Sequence, residues 1–155
     1  MNKIMFEMQA WAENFYFFAS IDNDIVEYEI EIENPQVGSL SKVGKLEKEK
    51  SKIFIDFIEK ADINNINELI KEKDIIDFYT DAPTFSISSF KYGNAFWNEY
   101  EELENMHYIY LAILLCDDSM TDTLLGEAEV NDNLSSNIKD IMNNLGLKLS
   151  QDDEE

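Results

Sequence analysis

The sequence contains no arginine: all twelve basic residues are lysines, set against 33 acidic residues, and the net charge is −21. Arginine is the residue that most often holds phosphate and carboxylate groups through two parallel hydrogen bonds. Nucleic acids and anionic lipid surfaces also repel a strongly negative protein. The composition therefore predicts that the chain binds neither nucleic acid, nor nucleotides, nor an anionic membrane.

The sequence has a single cysteine, Cys116, and a single histidine, His107. One cysteine cannot form an internal disulfide, and the pair cannot complete a zinc tetrahedron of the usual kind. The two residues are nine positions apart, which places them on opposite faces of a strand or of a helix and disfavours a Cys–His dyad. We therefore predict no catalytic residue, no metal site and no cofactor, and we expect that the protein is not an enzyme.

Proline, glycine and long apolar runs are also scarce. Two prolines and five glycines in 155 residues leave little material for a flexible linker. We predict one domain over residues 1–150, followed by an acidic disordered tail at 151–155. The longest apolar run, 108–116, is about half of what a membrane helix needs, and Glu7 and Glu13 interrupt the N-terminal apolar stretch. These features predict a cytoplasmic protein.

Apolar and acidic residues alternate strictly from Val26 to Glu33. Such alternation is typical of a half-buried strand with one wet face. The wet face consists of Glu27, Glu29, Glu31 and Glu33, which we call the acidic row. Further strands are predicted near residues 4–8, at 15–20, at 84–90 and at 124–130.

Four segments carry helical signals: 42–61, 65–77, a helix that starts at 92–94, and 134–145. Residues 107–116 are apolar on both alternating faces, which favours a central strand; the alternative is one long helix over 95–116. Together these elements predict an α+β fold with a mainly antiparallel sheet and about four helices.

The charge is unevenly distributed along the chain. Residues 42–73 hold eight of the twelve lysines and seven acids, so this part is nearly neutral. Residues 22–33 hold six acids and no base, and no base occurs between Lys91 and Lys139. We predict a negatively charged partner-binding surface, with Trp97 as an exposed aromatic anchor. Its predicted residues are Glu27, Glu29, Glu31, Glu33, Trp97, Glu99, Glu101, Glu102, Asp117, Asp118 and Asp122.

A small acidic α+β protein without a catalytic motif is similar in general character to bacterial immunity proteins, although no residue motif carries the likeness. This character implies an inhibitor that neutralises a basic toxin or nuclease by occupying its positive groove. One alternative is a DNA mimic that blocks a DNA-binding protein. A carboxylate-based, metal-dependent enzyme is another, and a structural domain from a salt-adapted cell is the last.

Overall fold

A computed structural model describes residues 2–9, 14–34, 38–72, 84–98 and 104–117, together with 140, 143 and 144. The described residues form an α+β structure with a six-stranded antiparallel sheet and three helices. The strands are β1 (Asn2–Gln9), β2 (Asn14–Asp22), β3 (Ile25–Asn34), β4 (Gly38–Lys45), β5 (Thr84–Ser89) and β6 (Gly93–Asn98). The helices are α1 (Lys48–Ala61), α2 (Ile63–Glu72) and α3 (Glu104–Cys116). The strand order across the sheet is β4-β3-β2-β1-β5-β6.

One face of the sheet carries the hydrophobic core because alternate strand residues point to the same side. Phe6 of β1 lies at its centre, where its ring contacts the rings of Phe15, Phe85, Trp97 and Tyr110. The helices cover this face, and they leave the opposite face, the outer face, without a described helix against it. The strands predicted near 4–8, at 15–20, at 26–33 and at 84–90 are confirmed.

Residues 107–116 belong to the helix α3, so the prediction of a central strand is wrong. Every residue from Ile109 to Cys116 is buried, and a helix that is apolar on all sides is a helix enclosed by the core. The long-helix alternative is also wrong, because Gly93–Asn98 forms strand β6 and the helix begins at Glu104. The prediction of a helix that starts at 92–94 is wrong for the same reason.

The predicted helix at 42–61 begins at Lys48, because residues 38–45 pair with β3 as strand β4. Helix α2 confirms the next predicted helix as far as Glu72. The described residues contain three helices, so the count of about four is not confirmed. The predicted strand at 124–130, the tail at 151–155 and most of the helix at 134–145 lie outside the described residues.

The side chain of Ser51 joins α1 to the end of the β3–β4 pair. Its hydroxyl accepts a hydrogen bond from the backbone N–H of Val26 at 3.0 Å and donates one to the carbonyl of Leu46 at 3.2 Å. Leu46 also donates its own N–H to the Val26 carbonyl at 2.8 Å. The buried hydroxyl therefore satisfies backbone groups where the strand pair ends and holds α1 against the core side of β3.

Helix α2 covers the edge of β6 that does not pair with β5. Asn64 accepts from the N–H of Asn94 at 3.2 Å, while Asn67 donates to the Asn94 carbonyl at 2.9 Å and accepts from the N–H of Phe96 at 3.4 Å. Gly93 has φ +110°, and a Cβ at this position would collide with the Asn64 amide. This edge of the sheet is therefore protected from pairing with another chain.

Candidate docking surface

The acidic row lies on the outer face of the sheet. Glu27 and Glu33 are exposed and Glu29 and Glu31 are half-buried. Successive members of the row are about 6.6 Å apart along the strand. In the neighbouring strands, Tyr16 lies opposite Glu31, and Glu7 lies opposite Tyr16, so that the negative charge extends across three strands.

One lysine stands beside the acidic row: Lys45 lies opposite Glu27 at one end of the row, and it is exposed. Within the described ranges, the ion pairs are Lys42–Asp117 at 3.5 Å and Lys60–Asp56 at 3.0 Å, and neither includes a member of the row. The other lysines of α1 are exposed on a helix that packs on the core side of the sheet. Glu29, Glu31 and Glu33 lie opposite Val43, Ser41 and Ser39 of β4, so that no lysine of β4 stands directly opposite them and their negative charge can attract a partner.

Crowding of the carboxylates changes the protonation of the row. The pKa of Glu31 lies above its ordinary value, first because Glu31 shares a hydrogen bond with Glu29, then because of partial desolvation and the charges of Glu29 and Glu33. The pKa of Tyr16 is raised in turn, chiefly because its hydroxyl hydrogen-bonds Glu33. These carboxylates repel one another in the folded state, and a cation brought to them would relieve that repulsion.

Because the pKa of Glu31 is raised by folding, protonation of this group favours the folded state. Its stabilising contribution is complete below the ordinary value of 4.5 and disappears as the pH rises through the higher value of the folded state. We expect Glu31→Gln to raise the melting temperature at pH 7 and to flatten its dependence on pH. Circular dichroism melts at several pH values between 4.5 and 7 measure the melting temperature and its dependence on pH.

Glu49→Gln is the matched control, because it removes the same charge from the first turn of α1, remote from the row. A carboxylate near a helix N-terminus is favourable, so this change should not raise the melting temperature. Equal behaviour of the two variants would contradict repulsion within the row.

A depression of about 650 Å³, lined by both apolar and polar residues, opens beside the acidic row. Glu29 lies opposite Phe18, which lies opposite Met5, so that the row adjoins the apolar residues of the depression directly. Met5 is 43% exposed, and Phe90, in the turn between β5 and β6, is fully exposed. The residues that line the depression are Asn2, Lys3, Ile4, Met5, Phe18, Ala19, Ser20, Ser88, Ser89 and Phe90.

The sequence analysis missed this depression. The available signal was that Met5 and Phe18 break the alternation of their strands by placing apolar side chains on the polar face. Exposed apolar groups beside charged residues are typical of a surface that receives an anchoring side chain.

Trp97 does not belong to the surface, and its prediction as an exposed anchor is wrong. It is 1% exposed on the core side of β6, stacks on Phe85 with ring centroids 5.7 Å apart, and donates its indole N–H to the hydroxyl of Tyr110 at 2.9 Å. Asp117 is also separate, because it follows α3 and pairs with Lys42 on the core side. Glu99, Glu101, Glu102, Asp118 and Asp122 lie outside the described residues.

Both potentially reactive residues, His107 and Cys116, are buried in α3. Burial is the first cause that raises the pKa of the Cys116 thiol, and the nearby charge of Asp117 adds to it. The thiol is therefore neutral at physiological pH and a poor nucleophile. The part of the chain that the structure describes contains no group of three His, Cys, Asp or Glu residues placed to hold a metal ion.

No family model, curated protein or solved structure matches this chain. None of the helices in the described ranges is both long and apolar enough to span a membrane.

Proposed function

We propose that this protein is a cytoplasmic inhibitor that neutralises a basic partner, as a bacterial immunity protein neutralises a toxin or nuclease. The observation that carries the proposal is the acidic row: four glutamates side by side on an outer face, without a lysine paired to any of them within the described ranges. Such a surface attracts cations and proteins rich in them.

The mechanism is steric and electrostatic. Long-range attraction brings the positive groove of the partner to the outer face and speeds the encounter. The carboxylates then occupy the positions where the partner would bind a nucleic acid backbone. An aromatic or aliphatic side chain of the partner enters the depression between Phe18 and Phe90 and slows dissociation.

The test is to express the product of the gene immediately upstream, alone and together with this protein. We expect growth arrest with the upstream product alone, normal growth with both, and a complex whose association rate falls steeply with salt. A harmless upstream product, or association that is indifferent to salt, would count against the proposal.

A DNA mimic would use the same acidic row against a DNA-binding protein. It is distinguished by competition, because duplex DNA would then displace this protein from its partner. A carboxylate-based enzyme is distinguished by a marked rise in melting temperature at low concentrations of Mg²⁺ or Mn²⁺.

A further inference from the structure

The two edges of the sheet differ in how their backbone groups are satisfied. At β6, two asparagines of α2 hydrogen-bond the outward-facing groups of Asn94 and Phe96. At β4, no described element lies beyond the strand, and every residue from Gly38 to Val43 is exposed. Native proteins protect such edges, since an open one pairs readily with another chain.

The hydrogen bond from Leu46 to Val26 shows which groups of β4 face outward. Backbone bonding alternates along an antiparallel pair, so that Gly44, Lys42 and Leu40 bond to β3. The N–H and C=O groups of Ser39, Ser41 and Val43 therefore point away from the sheet. Of the two lysines of β4, Lys42 pairs with Asp117 on the core side and Lys45 lies at the end of the strand opposite Glu27, so that the outward positions Ser39, Ser41 and Val43 carry no charge.

The side chains of β4 that lie between this edge and the acidic row are small enough for a long side chain to cross them. Ser39 lies opposite Glu33 and Ser41 lies opposite Glu31, and both serines are small. A strand added beyond β4 would lie two strand spacings, or about 10 Å, from β3. The long stem of a lysine or arginine on that strand can lie across a serine and bring its cation to a glutamate. The strand would also cover Leu40 and Val43, which are 61% and 71% exposed.

From this arrangement we infer that β4 is an acceptor edge for an extended basic segment of the partner, which adds to the sheet as an antiparallel strand. Alternate lysines or arginines of the segment cross Ser39 and Ser41 to reach Glu31 and Glu33. The acceptor edge presupposes the basic partner proposed above and specifies how that partner binds. Backbone bonds hold the segment, and the carboxylates select for positive charge at every second residue.

The probe is a short synthetic peptide in which lysine and valine alternate, and binding is measured by fluorescence anisotropy. In the antiparallel arrangement the lysine N–H groups face β4, whereas the valine N–H groups face solvent. N-methylation of the lysines should therefore weaken binding at least about tenfold. N-methylation of the valines should leave it unchanged.

A protein variant provides the reciprocal test. Ser41→Pro removes an outward N–H at an edge position where proline is tolerated, and it should weaken binding to the same degree. Ser41→Ala keeps the N–H and should bind normally, and a melt confirms that both variants fold. If Ser41→Pro fails to fold, the methylated peptides decide the matter on the unmodified protein.

Salt-sensitive binding that ignores both methylation and Ser41→Pro would overturn the acceptor edge while leaving the acidic inhibitor in place. Absence of peptide binding would also overturn the acceptor edge. The proposed inhibitor would still be tested by the coexpression experiment, in which it should restore growth. A dimer in sedimentation that Ser41→Pro dissociates would place a second copy on the edge and overturn the inference. If this protein neither binds the peptide nor restores growth in the coexpression experiment, the proposed inhibitor function is overturned too.

Discussion

Replacing Glu27, Glu29, Glu31 and Glu33 together by glutamine should slow association with the basic partner by about tenfold or more at low ionic strength. The reason is that the row supplies most of the negative charge of the outer face in the described strands. The substitution should also reduce the dependence of the association rate on salt, since fewer charges remain to be screened. Stopped-flow or surface plasmon resonance kinetics at several salt concentrations measure both quantities.

The control changes the net charge by the same amount on the opposite side of the sheet. Glu47, Glu49, Asp56 and Glu59 are exposed at or along α1, and the corresponding Gln and Asn variant should associate nearly as fast as the natural protein. Equal slowing by the two variants would mean that net charge alone steers the encounter, and the outer face would lose its assigned role.

Truncation of Trp97 to alanine should lower the free energy of unfolding by about 3–5 kcal/mol. Trp97 is enclosed by Phe6, Phe85 and Tyr110, so its removal leaves a cavity in the aromatic centre of the core. The change also removes its hydrogen bond to Tyr110. Urea unfolding followed by far-ultraviolet circular dichroism measures the loss.

Phe96→Ala is the matched control because Phe96 precedes Trp97 on the same strand and points to the outer face, where it is 62% exposed. Its backbone N–H, which bonds to Asn67, is retained in the alanine variant. This substitution should change the free energy of unfolding by no more than about 0.5 kcal/mol. Similar losses at both positions would contradict the strand register of β6.

The acidic row could be predicted because a half-buried strand leaves a direct trace in the sequence. Its side chains alternate with a period of two, and β3 shows that period from Val26 to Glu33. Glu7 and Tyr16 could not be added to the surface from the sequence. They come beside the row because β1, β2 and β3 pair in one particular register.

The apolar segments were harder to interpret because burial on all sides removes periodicity. The pattern of residues 107–116 favours a central strand, yet a helix enclosed by the core is apolar on all sides as well, and α3 is such a helix. Trp97 shows the converse problem: its acidic neighbourhood indicates exposure, yet the alternation of β6 turns its side chain into the core. The sequence of β4 shows neither the period of a strand nor that of a helix, so that its pairing with β3 determines its structure.

Composition and local pattern thus determined the excess of negative charge, the alternating strand that displays it, and the impossibility of an internal disulfide. The tertiary structure decided which carboxylates share a face, that Trp97 is buried, and that asparagines of α2 cover the β6 edge while no described element lies beyond β4. The physical reason is that alternation and composition act between near neighbours. Facing, burial and edge protection depend on contacts between residues far apart in the chain, and only the assembled sheet brings these together.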